Sequence, residues 1–231
     1  MYRNIVTGRS YLQHGVTIRP GDTVIDVGAN VGIASLAFSW EAPGVRVLAF
    51  EPARDAHEAL VANFAEHGVD GHVFDHALSD HDGAATLTNY PESTAMTSLH
   101  ADRDYDVALT RTFLTNSGFA GRDIEDMMRG RHRTETQECA TRTLSAVIDE
   151  QGLTGIGLLK INVEKAEHEV LRGLAERHWP LVRQVVLQLH DMGGRLQELR
   201  ADLTVRGLRV TVDQDPLLAG TDIYELFAVR P

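Results

Sequence analysis

The segment Val24-Ile-Asp-Val-Gly-Ala-Asn-Val-Gly32 limits what this chain can fold into more than any other. Val24–Val27 is a short apolar run ending at Gly28, and from Gly32 to Glu41 the residues Ile33, Leu36, Ala37 and Trp40 recur at helical spacing. Strand, glycine turn and helix open a βαβ unit. A second strand, Val45 to Phe50, stops at Glu51-Pro52, and Asp55 to His67 reads as a helix with Ala56, Leu60 and Phe64 on one face. His72 to Leu78 is a third strand candidate, followed by a turn at Ser79–Gly83 and a strand over Ala84 to Asn89.

Residues 90–143 break the rhythm and read as an inserted lid or substrate-binding segment, with amphipathic stretches at Val107–Leu114 and Ile124–Met128. The alternation resumes as helix (Leu144–Glu150), strand (Ile156–Val163), helix (Ala166–Glu176), strand (Leu181–Leu189), helix (Gly194–Arg206) and two strands, Leu208–Val212 and Ile223–Val229. Strands alternating with helices predict a mostly parallel, doubly wound sheet. The last two strands, joined without a helix, predict an antiparallel hairpin at one edge. At 231 residues the expectation is one domain with residues 1–21 as an N-terminal cap.

With 33 acidic against 22 basic side chains the formal charge is −11, which argues against binding nucleic acid or an anionic membrane. The most apolar window, Val24 to Trp40, is interrupted by Asp26 and Asn30 and falls short of a membrane helix. A lone cysteine, Cys139, cannot form an internal disulfide, so a cytoplasmic location is the expectation. Lys160 and Lys165 are the only lysines beside 20 arginines, a bias we read as codon usage. The run Arg129–Arg133 is the one basic cluster, a solvated loop or a docking patch for an acidic carrier protein.

Gly28 and Gly32 let the backbone turn sharply and approach a nucleoside. A dinucleotide fingerprint G-x-G-x-x-G fails at Asn30 and Ile33, and Asp26 sits badly beside a pyrophosphate. That set suits S-adenosylmethionine, which has no phosphate and carries an ammonium and a sulfonium near which carboxylates are favourable. Glu51 ends the second strand, where a carboxylate can accept both ribose hydroxyls, and Asp75, His76 or Ala77 falls where the adenine edge should lie. Ser93, Met96 and Ser98 are candidates to line the site.

Four blocks then carry a resemblance: Ile25–Gly32, Ala49-Phe-Glu-Pro52, Ala77-Leu-Ser-Asp80, and Leu158–Glu167 running into Val170-Leu-Arg-Gly173. With them the chain resembles the FkbM family of S-adenosylmethionine-dependent methyltransferases over almost its whole length. Tyr11–His14, Tyr90–Ser93 and Val186–Asp191 look like the subgroup attached to polyketide and nonribosomal peptide assembly lines. The resemblance implies the seven-strand class I methyltransferase fold, Asn162 in the cofactor site, Tyr11 and His14 near the substrate, and methylation of a hydroxyl on a natural product, free or carrier-bound. Asn162 and Gln188 stand where the family has Asp and commonly Glu, so both keep the shape and lose a charge.

An alcohol is a poor nucleophile until its proton leaves, which favours a base near the acceptor. His190 follows the fifth strand of the alternation at the edge where open α/β sheets place ligands, and an unperturbed imidazole titrates at about 6.5. Glu164, one connection away, could orient His190 or act as base itself. Glu167 faces the site or caps its helix. A weaker alternative groups Glu164, His190 and Asp191 around a magnesium-type ion. The runner-up functions are an N-methyltransferase of the same fold and a catalytically impaired cofactor-binding domain.

Overall fold

The computed structural model describes residues 3–7 and 9–231. Its frame is a seven-stranded sheet ordered β3-β2-β1-β7-β8-β10-β9, built from β1 (Thr23–Val27), β2 (Arg46–Phe50), β3 (Gly71–Phe74), β7 (Leu158–Ile161), β8 (Gln184–His190), β9 (Arg209–Asp213) and β10 (Ile223–Val229). The central strands are apolar on both faces because helices cover both. One face carries Ile25, Val27, Leu48 and Leu159 against α5 (Leu144–Glu150), α6 (Glu167–Arg172) and α7 (Arg195–Val205). The other carries Val24, Val47, Ala49 and Leu158 against α1 (Ile33–Glu41) and α2 (Arg54–His67).

Strand β10 runs antiparallel to both neighbours, pairing Leu226 with Leu187 of β8 and with Val212 of β9. The expected antiparallel hairpin is therefore present, with its second strand wedged inside the sheet and β9 at the edge.

The run His72–Leu78, expected as one strand, is divided. Gly71–Phe74 pairs with β2, and after Asp75 and His76 the chain enters a second sheet as β4 (Ala77–Ser79). That sheet, ordered β4-β6-β5, adds β5 (Gly83–Asn89) and β6 (Glu135–Thr143). Residues 90–143 thus contain a 3₁₀ turn at Thr94–Met96, α3 (Arg103–Asn116), α4 (Arg122–Met128) and then a nine-residue strand. Within the expected N-terminal cap, Arg3–Thr7 forms a π-helical turn, and Ile5, Tyr11, Leu12 and Ile18 pack on the α1 face of the sheet. Among the described residues no helix is long and apolar enough to cross a membrane.

The strand order reverses between β1 and β7, since the chain leaves β1 toward β2 and returns on the other side. Ligands of open α/β sheets bind in the crevice at such a point. Here it is tight: a Cβ on Gly28, which has φ of 73°, would lie 1.8 Å from the carbonyl oxygen of Asn162.

Candidate functional site

At this crevice opens a cleft lined by the turn after β1, the end of β2, residues 94–99 and the turn after β7. The turn after β1 forms its floor. Gly28 and Ala29 donate backbone N–H bonds to the Phe50 carbonyl at 3.0 Å, which ties the turn to the end of β2. Asn30, at φ 51°, donates its backbone N–H to Glu51 Oε2 at 2.8 Å. The other Glu51 oxygen accepts from Ala53 N–H at 2.9 Å. Burial raises the Glu51 pKa, opposed by these two backbone donors and by Lys160. The Asn30 amide also donates to Thr94 Oγ1 at 3.2 Å, joining the glycine turn to the 94–96 segment.

Asp26 is placed differently from the expectation. In the parallel register it neighbours Lys160. Its Oδ1 lies 2.8 Å from Lys160 Nζ, its Oδ2 accepts from Ser35 Oγ at 2.6 Å, and the two charged side chains are 0% and 3% exposed. Lys160 in turn donates to the Gly28 carbonyl at 2.9 Å. Burial depresses the Lys160 pKa, but Asp26 foremost, together with Tyr11 and Glu51, more than offsets this and holds it above the ordinary value. Asp26 does not line the cleft; Lys160 does.

Of the remaining cofactor candidates, His76 and Asn162 line the cleft and Asp75 does not, its side chain being 84% exposed. His76 packs edge-on against Phe50 and Phe74, and desolvation, followed by the nearby Arg142, lowers its pKa. Its Nε2 and the Asn162 Oδ1 are buried without a hydrogen-bond partner. From the substrate set, Tyr11 and Ser98 line the cleft, while Ser93 and Met96 lie outside it, where Thr94, Ala95 and Thr97 present themselves instead. His14 sits elsewhere, 3.1 Å from Asp213 and against the Phe227 ring.

The structure brings Glu164 and His190 together: Glu164 Oε2 is 3.3 Å from His190 Nε2. Glu164 lines the cleft, but His190 is fully buried behind it, and its Nδ1 is 3.0 Å from Glu167 Oε1. Desolvation would lower the His190 pKa, but the two flanking carboxylates win and push it up to about 10. At neutral pH this imidazole already carries its proton, unlike the unperturbed group envisaged for a base. Asp191 turns away, its Oδ1 accepting from Leu196 N–H at 2.9 Å.

The expectations omitted a second buried pair, Lys165 with Asp106 at 2.7 Å, the latter also accepting from the Tyr90 hydroxyl at 2.5 Å. The scarcity of lysine was the available signal: the chain's only two lysines each neutralise a buried aspartate beside this site.

A family model described as the methyltransferase FkbM domain matches residues 26–207. The chain is 46% identical over its full length to the 31-O-demethyl-FK506 methyltransferase FkbM of Streptomyces tacrolimicus, covering 89% of that protein. It is 37% identical to the AMB antimetabolite synthetase AmbE of Pseudomonas aeruginosa, spanning all of this chain but 12% of that one. Among solved structures, a Methylobacillus flagellatus methyltransferase FkbM superposes with a TM-score of 0.56 at 13% identity, over 93% of this chain and 45% of the other. Aeropyrum pernix fibrillarin, solved with S-adenosyl-L-methionine, gives 0.50 at 12% identity, over 99% and 75%. These two matches establish a shared fold.

Proposed function

Since this chain belongs to the FkbM family of S-adenosylmethionine-dependent methyltransferases, we propose that it transfers a methyl group to a hydroxyl of a natural product of polyketide or nonribosomal peptide type. One observation carries the reading: Gly28–Val31 of the turn, Glu51 and Glu164 line the same cleft, whereas Gly32 closes the turn against Leu60 of α2. The cleft residues fit the donor. Gly28 has no room for a side chain, Glu51 presents a buried carboxylate, and the Asn162 and His76 side chains each hold an unpartnered polar atom. Glu51 would take the ribose hydroxyls, His76 with Ala77 the adenine, and Asn162 the methionine end. The donor, when bound, supplies a methyl group on a positively charged sulfur.

The chain's own residues supply position and a destination for the proton. The acceptor oxygen gains a carbon bond and must lose its hydrogen, which becomes strongly acidic as that bond forms. Glu164, on the cleft wall, accepts it. His190 acts from behind as a buried cation, its Nε2 3.3 Å from Glu164 Oε2, that attracts the Glu164 carboxylate and keeps it in place. Asp26 serves at one remove, by holding Lys160 on the Gly28 carbonyl.

Incubation with labelled S-adenosylmethionine and a panel of hydroxylated polyketides and peptides, each offered free and on a carrier protein, tests the proposal by mass spectrometry. A gain of one methyl on a hydroxyl is expected. Transfer to amines alone, or donor binding by calorimetry without transfer to any acceptor, overturns it.

A further inference from the structure

Glu164 and Lys165 follow β7 with φ values of 51° and 79°, two successive non-glycine residues in the left-handed region. Crowding at Cβ makes that backbone unfavourable for an L side chain, so it persists only where its surroundings impose it. Several contacts do so here. Ser98 Oγ donates to the Glu164 carbonyl, and the Lys165 N–H donates to Glu167 Oε1 at 2.9 Å. Lys165 Nζ reaches across to Asp106 Oδ1 of α3 at 2.7 Å and lies 5.2 Å from the Tyr105 ring centroid. Asp106 is fixed from its other side by Tyr90 at 2.5 Å.

The Asp106 and Lys165 side chains are no more than 3% exposed, and neither residue lines the cleft. They are therefore not placed to touch a bound molecule, yet Lys165 adjoins the carboxylate that is. We propose that Asp106 and Lys165 are positioning residues, whose buried ion pair pins the Glu164–Lys165 turn to α3 and so holds the Glu164 carboxylate between the cleft and His190. An ion pair at this distance fixes direction as well as separation, which apolar packing of the same volume does not. Relaxation of the turn toward negative φ would swing Glu164 off the imidazole. The inference rests on Glu164 being the acceptor-side group, and it makes α3 part of the site's machinery without being part of its wall.

His190 is a built-in reporter, because its charged neighbours are Glu164 at Nε2 and Glu167 at Nδ1, with the Tyr105 ring 6.2 Å away on the α3 side. The experiment follows the His190 imidazole by NMR across pH in wild type, in Glu164→Gln, in Asp106→Asn/Lys165→Met, and in the triple variant. The double variant removes both charges, so no lone charge is left buried. The expected result is a His190 titration midpoint lower by at least about one pH unit in the double variant, since one of its two carboxylates has moved away. The triple variant should titrate as Glu164→Gln does, and S-adenosylmethionine affinity by calorimetry should stay within about twofold throughout, whereas general loosening of the fold would weaken it.

If the double variant titrates as wild type while Glu164→Gln is lowered, the ion pair does not position Glu164, and the reading of Glu164 stands. If Glu164→Gln itself leaves the midpoint unmoved, the Glu164–His190 contact is absent and both readings fall. A further drop in the triple variant places the effect of the pair elsewhere and overturns the inference. Should the methionine variant not fold, Asp106→Asn/Lys165→Leu carries the same comparison, because leucine also removes the charge and, as an L side chain, keeps a φ near 79° unfavourable.

Discussion

Lysine is a compact point charge on an unbranched stem, able to enter a narrow interior where a planar guanidinium does not fit. That explains why Lys160 and Lys165, rather than any of the 20 arginines, neutralise Asp26 and Asp106. Lys160→Met should cost about 3–5 kcal/mol, because it strands the Asp26 charge in the core, and the Asp26→Asn/Lys160→Met pair should recover most of it in denaturant titrations. Glu164→Gln should lower kcat about 10²–10⁴-fold with the donor Kd nearly unchanged, the loss ordinarily seen when a general base is removed. The raised His190 pKa has a definite sign for stability: its contribution is complete below about 6.5, where the unfolded imidazole is also charged, and is lost as pH rises toward about 10. Unfolding midpoints of wild type should therefore fall between pH 7 and pH 10, and this slope should flatten in His190→Gln. Gly28, Glu51 and the nearness of Glu164 to His190 were legible in the sequence because each follows from where a strand ends. The partners of Asp26 and Lys165 were not, since the first depends on the register of β7 against β1 and the second on a helix 59 residues away.

The same division holds for whole elements. Strands of the main sheet announce themselves because both of their faces are apolar, and the helices because one face is. Strand β6, Glu-Thr-Gln-Glu-Cys-Ala-Thr-Arg-Thr, buries only Cys139 and Thr141 and offers no apolar alternation, so nothing in its composition separates it from a loop. The break at Asp75-His76 was equally hidden, because a strand that passes from one sheet to another keeps the same residue preferences on either side. Yet this passage sets His76 into the cleft wall. The small core beneath the second sheet joins Leu87 to Ala53, Ala77 and Cys139, and Leu87 also borders the cleft. Leu87→Ala should lower stability by about 2–5 kcal/mol in denaturant unfolding, the cost of a cavity that a sheet of three strands cannot easily close.

At the scale of the molecule, the cleft draws its walls from segments far apart in sequence: the Tyr11 region, the turn after β1, the end of β2, residues 94–99 and the turn after β7. A ligand there touches all of these segments at once and adds to the few hydrogen bonds that already join them, so the donor should stabilise the fold as a unit. Saturation at a hundred times Kd corresponds to about 2.7 kcal/mol and should appear as a rise in Tm. Gly28→Ala, which has no space for its methyl, should show no such rise. The formal charge of −11 also divides more finely at this scale than by counting, since Glu51 and Glu164 face the cleft while Asp26 and Asp106 are cancelled internally. The wedged position of β10 has a consequence for how the protein is made. During vectorial synthesis β8, buried along almost its whole length, emerges well before the strand that completes its outer edge, and β9 has no neighbour until residues 223–229 have left the ribosome. The outer edge of β8 and the whole of β9 must therefore wait unpaired, and the nascent chain is exposed to mispairing there until β10 slides between two strands that were already made.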